Sequence, residues 1–135
     1  MRNYFIDTNI FLRFLLKDNQ RQYLIARSIL ENAEKAKVGI WTTDVVILEL
    51  VWTLRSLYKF DKEKIREKVE GIVSLEYLEA VNKNFIIQAL HDFVEKNVDF
   101  IDAYNYQLAK KEGKEILSFD KDFKKLGVKV DFKKL

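Results

Sequence analysis

Apolar residues along the chain fall into two patterns. Some form short unbroken runs and others repeat about every 3.6 residues, the marks of buried strands and of amphipathic helices. Asn3-Tyr4-Phe5-Ile6 is a short run ending at Asp7 and predicts a buried strand. Thr8 or Asn9 then opens a helix through Ile10, Phe11, Phe14 and Leu15, and a second helix over residues 19–36 carries Tyr23, Ile25, Ala26, Ile29 and Leu30 on one side. Residues 38–42, β-branched and aromatic, predict a second strand. Thr43 or Asp44 caps a strongly apolar helix running to Tyr58, and Asp61 caps another through Ile65, Val69 and Ile72. Residues 76–81 alternate as a short strand, and residues 82–97 are amphipathic helix. Asp99 opens a helix that closes near Gly113. Residues 115–119 read as a strand, residues 120–126 as a turn of helix, and residues 128–132 as a last strand.

Short apolar strands separated by helices imply parallel pairing with helices on both faces, an α/β fold built as a three-layer α/β/α sandwich around a central, mainly parallel sheet. There is no proline, no Gly/Ser linker and no internal repeat, so residues 1–135 are expected to form a single domain. A hydrophobic content of 48% with 33% charged residues suits a globular chain with a solvated surface. No apolar run approaches the ~20 residues needed to cross a bilayer. Asp7 and Asn9 interrupt the N-terminal apolar stretch, which argues against a signal peptide. The expected setting is cytoplasmic, away from membranes.

Composition narrows the chemistry. Cysteine is absent and histidine occurs once, at His91, so a Cys/His zinc site and thiol catalysis are both excluded. A metal held by this chain would have oxygen ligands, which favours magnesium or manganese. Net charge is +3, but residues 110–135 hold nine lysines against five acids, a balance of +4 that leaves the rest at −1. A basic C-terminal stretch suits either a polyanion partner or a solvated surface.

The acids fall at telling places. Asp7 and Asp120 each follow a predicted strand directly, and in parallel sheets ligands bind beyond the carboxyl ends of the strands. Either aspartate could instead be a helix N-cap. Glu49 lies in Val45-Val46-Ile47-Leu48-Glu49-Leu50-Val51-Trp52, apolar nearly all round, where a carboxylate needs a partner such as Arg55, a lysine or a cation. Asp99 and Asp102, three apart, share a helix face. They fit a cap and a first-turn acid, or a pair of like charges relieved by a cation. Several carboxylates gathered at one sheet edge would call for a divalent ion, and that ion suits hydrolysis of phosphodiesters.

Asp7-Thr8-Asn9, Glu49-Leu50-Val51-Trp52, Asp99-Phe100-Ile101-Asp102-Ala103 and Ser118-Phe119-Asp120-Lys121-Asp122-Phe123 together resemble the PIN-domain nucleases, above all the VapC-like toxin ribonucleases of toxin–antitoxin pairs. The likeness runs over essentially the whole chain in motif order and spacing. It implies an endoribonuclease using Mg²⁺ or Mn²⁺, with Asp7, Glu49, Asp102 and Asp120 as catalytic metal-binding acids and Asp99 as an accessory ligand. It also implies that Thr8 and Asn9 orient the first aspartate and that Ser118 stands where threonine is commoner in the family. Asp122 and Phe123 are read as structural. An RNA substrate, a cognate antitoxin whose tail enters the active-site groove, and a homodimer follow from the same resemblance.

Competing readings are an RNA-processing nuclease of this fold without an antitoxin and a non-catalytic α/β module binding RNA or protein. An aspartyl-nucleophile phosphatase fits less well, because Asp7-Thr8-Asn9 lacks a second aspartate two residues on. Arg13, Arg55 and several C-terminal lysines could contact phosphates but are read as surface residues. Trp41 and Trp52 could stack on bases but are read as core, and His91 needs no catalytic role.

Overall fold

In the computed structural model, which describes every residue from Met1 to Leu135, strand β1 (Asn3–Phe5) feeds helix α1 (Thr8–Leu16). Helix α2 (Gln20–Glu34), strand β2 (Gly39–Trp41), helices α3 (Asp44–Ser56) and α4 (Lys62–Val73) and strand β3 (Leu78–Glu79) follow. The remainder holds α5 (Lys83–Glu95), α6 (Phe100–Lys111), the short α7 (Asp122–Lys125) and a 3-10 turn at Phe132–Lys134. Contacts divide the chain into two units, Met1–Lys83 and Asn84–Leu135. No helix is long and apolar enough to cross a membrane.

In the first unit the strands lie in the order β1-β2-β3, all parallel, as the α/β pattern requires. Parallel neighbours need crossovers of a dozen or more residues. The α1–α2 pair supplies one and the α3–α4 pair the other. Tyr4 sits opposite Ile40, and Ile40 opposite Leu78. The first strand differs from its reading as buried. Being at one end of the sheet order, Asn3, Tyr4 and Phe5 are exposed, and burial begins at Ile6. Helices α3 and α4 pack together, and Ile47, Leu50 and Leu54 on the first and Ile65 and Val69 on the second are buried.

In the second unit α5 buries Ile86, Ala89, Leu90 and Phe93, the i, i+3, i+4, i+7 stripe of an amphipathic helix. Phe93 meets Phe100 edge-on at 5.8 Å between ring centres, and Gln107 donates to Asp92 at 2.7 Å, fixing α6 beside α5.

The two C-terminal strands expected at residues 115–119 and 128–132 do not form. Their β-branched and aromatic residues fit a pleated surface, but a strand also needs a ladder partner. Short polar side chains compete for the backbone here. The Ser118 hydroxyl accepts from the Asp120 N–H and the Asp120 carboxylate from the Asp122 N–H, each at 2.9 Å, so the chain turns into α7. The Asp131 carboxylate likewise accepts from the Lys133 N–H and starts the 3-10 turn.

Candidate metal centre

In the first unit, the end of β1 is pinned on two sides. The Ile6 N–H donates to the Trp41 carbonyl at 2.8 Å, and the buried Thr42 hydroxyl donates to the Ile6 carbonyl at 2.9 Å. Asp7 follows at the N-cap position of α1 with extended backbone (φ −83°, ψ 166°), yet its side chain makes no capping hydrogen bond. Helix capping therefore does not occupy its exposed carboxylate. The next residue, Thr8, is only 2% exposed and donates through its hydroxyl to Oε2 of Glu49 at 3.0 Å, joining α1 to α3. Asn9 is exposed and borders a cavity of about 370 Å³ that Arg13 and Arg21 also line.

Glu49 is not enclosed as its apolar neighbours suggested; it is exposed. The run from Val45 to Trp52 does not bury all round: Val45, Glu49 and Trp52, at i, i+4 and i+7, form the outward face of α3. Arg55 is not its partner, since it donates to the Phe60 carbonyl at 3.1 Å. The tryptophans read as core are also at the surface, Trp41 at 43% exposure and Trp52 at 53%, and Trp41 lies 5.1 Å from Phe5 between ring centres.

In the second unit, Asp99 caps α6. Its carboxylate accepts from the Ile101 N–H at 2.8 Å, while its own N–H donates to Oδ2 of Asp122 at 2.9 Å. Asp102 occupies the first turn of α6, half-buried. Carboxylate oxygens of Asp102, Asp120 and Asp122 all lie within 4.8 Å of one another. Asp102 is pushed up to about 6, first by burial and then by the negative charges of Asp120, Asp99 and Asp122, with a hydrogen bond to Asp122 adding to the shift. Ser118 anchors the turn that carries Asp120.

The sequence reading assigned Asp122 a structural part. That part exists, since Asp122 accepts from Asp99 and stands 3.8 Å from the Lys125 ammonium. Its carboxylate also belongs to the cluster, and the signal available was its spacing two residues after Asp120, on the same turn. Phe123 is buried, as a structural residue should be.

The donor set fits a hard divalent cation. Three convergent carboxylates supply oxygen ligands at a spacing a single ion can span. The pKa of Asp102 is raised first by burial and then by its acidic neighbours, and a bound cation would offset that second contribution. No nitrogen or sulfur ligand competes within this group.

The sequence matches the PIN domain family over residues 4–129. It is 34% identical over 126 residues to a VapC ribonuclease of Aquifex aeolicus (strain VF5), an alignment spanning 93% of this chain and 93% of that relative. No solved structure matches.

Proposed function

Because this chain belongs to the PIN-domain family, we propose that it is a Mg²⁺- or Mn²⁺-dependent endoribonuclease and the toxin of a type II toxin–antitoxin pair. The observation that carries the reading is the trio of carboxylates of Asp102, Asp120 and Asp122, whose oxygens lie within 4.8 Å of one another. Support also comes from the VapC ribonuclease relative. In this reading Asp7, Glu49, Asp102 and Asp120 are the catalytic, metal-binding acids and Asp99 contributes as an accessory ligand, all serving one reaction in a single nuclease domain.

Asp122, whose carboxylate lies with those of Asp102 and Asp120, would join these acids in holding the cation. When bound, it supplies the charge that offsets negative charge developing at phosphorus and makes a coordinated water more acidic. The chain's own residues do the positioning. Thr8 orients Glu49 through its hydroxyl, Thr42 holds the strand end from which Asp7 emerges, and Ser118 fixes the turn bearing Asp120. Hydrolysis then adds water across one P–O bond of RNA. A cognate antitoxin and a homodimer belong to the same proposal on family grounds. Co-purification with the product of a neighbouring short reading frame tests the first, and light scattering of the purified chain tests the second.

The direct test is cleavage of total cellular RNA with Mg²⁺ or Mn²⁺, comparing wild type with Asp7→Asn and Asp102→Asn. Wild type should cleave and lose activity on chelation. Each variant should keep its circular dichroism spectrum and lose activity by about 100-fold or more, the scale of removing an electrostatic contact made in the transition state. Full metal-dependent activity in Asp7→Asn would end the proposal.

A further inference from the structure

The second unit contains a cavity of about 320 Å³ that the carboxylate cluster does not use. Lys110, Lys114, Lys129 and Lys134 line it, together with the ring of Tyr106 and apolar residues such as Ile116. Glu115 and Asp131 also line it, but the Asp131 carboxylate is engaged by its own backbone at the Lys133 N–H. None of the four lysines is held in an ion pair. Like charges gathered around a concavity repel unless an anion joins them.

Two elements run from this cavity to the acids. Along α6, Asp102, Tyr106 and Lys110 lie at i, i+4 and i+8, on one side of the helix. At about 1.5 Å of rise per residue, successive members of this series are about 6 Å apart along the axis, comparable to the step from one nucleotide to the next in an extended strand. The other element is the segment from Lys114 through Ile116 and Leu117, which line the cavity, to Ser118 and Asp120. The cavity thus continues the track that begins at the acids, with an aromatic ring one step along and an ammonium two steps along.

We propose that this cavity is a subsite for single-stranded RNA flanking the cleaved bond, with a base stacking on Tyr106 and phosphates neutralised by Lys110, Lys114, Lys129 and Lys134. The inference deepens the ribonuclease reading and rests on it for the substrate. The ring separates this from an acidic peptide site, since lysines serve either polyanion, whereas a ring beside them gives a nucleic acid base its stacking partner.

The test uses the full chain and a fluorescein-labelled single-stranded RNA of mixed sequence, about 12 nucleotides long, in EDTA so that cleavage is suppressed. Anisotropy is read across a salt series. The double variant Lys110→Gln/Lys114→Gln should bind about tenfold more weakly, and its plot of log affinity against log salt should be shallower by about 1.4, the loss of two phosphate contacts on a single strand. Tyr106→Ala should weaken binding about tenfold while Tyr106→Phe binds like wild type. In cleavage assays the lysine losses should fall on KM rather than on kcat. Unchanged affinity and slope in the double variant would overturn the subsite. So would a polyglutamate peptide that displaces the RNA while Tyr106→Ala binds normally, which would assign the cavity to an acidic protein segment. Hydrolysis of bis(p-nitrophenyl) phosphate with Mn²⁺ tests the underlying reading separately: a wild type inactive on it and on RNA, yet still binding RNA through these lysines, would remove the nuclease and keep the subsite.

Discussion

Thr8 is buried, and its hydroxyl donates to a carboxylate, Oε2 of Glu49, at 3.0 Å. Thr8→Val keeps the shape and removes the donor. Glu49 is exposed, so water replaces the lost bond and the expected stability change is within about 1 kcal/mol. The effect should appear in catalysis, where an oxygen free to swing away from its productive position costs rate. We expect kcat/KM for RNA to fall about tenfold, a change of about 1.4 kcal/mol in transition-state stabilisation, and Thr8→Ser to recover most of it. Urea unfolding and RNA cleavage measure the two halves of this statement, and a fully active Thr8→Val protein would show that Glu49 needs no such support. The same pair shows how far the site could be read from the chain. Glu49 was singled out because its neighbours are apolar, yet its surroundings are open, because a helix of this length buries one side and turns Val45, Glu49 and Trp52 outward. The residue was conspicuous for a reason the structure does not share. Asp122 reads as structural from the chain alone, whereas in space its carboxylate both accepts from the Asp99 N–H and joins the acidic cluster.

Among the elements, helix starts were the most legible, because a cap is a local contract between one side chain and an N–H two or three residues on. Asn19, Thr43, Asp61 and Asp99 each accept such a bond. The parallel strands were legible too, β1 and β2 as short apolar runs and β3 from the alternation over residues 76–81. Residues 115–119 and 128–132 were not, because strand formation depends on a distant partner while the turns made by Ser118, Asp120 and Asp131 are closed locally. The cap of α6 gives an element-scale prediction. Asp99→Ala removes the acceptor for the Ile101 N–H and should destabilise the protein by about 1 kcal/mol. Asp99→Asn keeps an acceptor and removes a charge that raises the pKa of Asp102, so it should unfold at a urea concentration at or above wild type. Comparing RNA cleavage by the two variants separates roles: Asn as active as wild type makes Asp99 a cap alone, and Asn as inactive as Ala makes its charge part of the metal centre.

For the molecule as a whole, the carboxylate cluster couples folding to both protons and divalent ions. Asp102 has its ordinary value of 3.8 raised to about 6 in the folded protein, so between these values the folded state binds more protons than the unfolded state. Its contribution to stability is therefore complete below about 3.8 and is lost as pH rises through about 6. In EDTA, Asp102→Asn should melt above wild type at about pH 7.5, and the gap should shrink at about pH 5, where wild type is largely protonated at this position. A divalent cation reverses the ranking, because it binds the ionised carboxylates of the folded chain and stabilises by mass action. Saturating Mn²⁺ should therefore raise the melting temperature of wild type by several degrees at about pH 7.5 and by less at about pH 5, where protons compete for the same oxygens. In Asp102→Asn the Mn²⁺ shift should be small at both. RNA cleavage by wild type should rise with pH through the same range, with its midpoint moving lower as Mn²⁺ is increased. Differential scanning calorimetry of the two proteins, with and without Mn²⁺, decides the matter. An Mn²⁺ shift of equal size in both proteins and at both pH values would place the ion somewhere other than these acids.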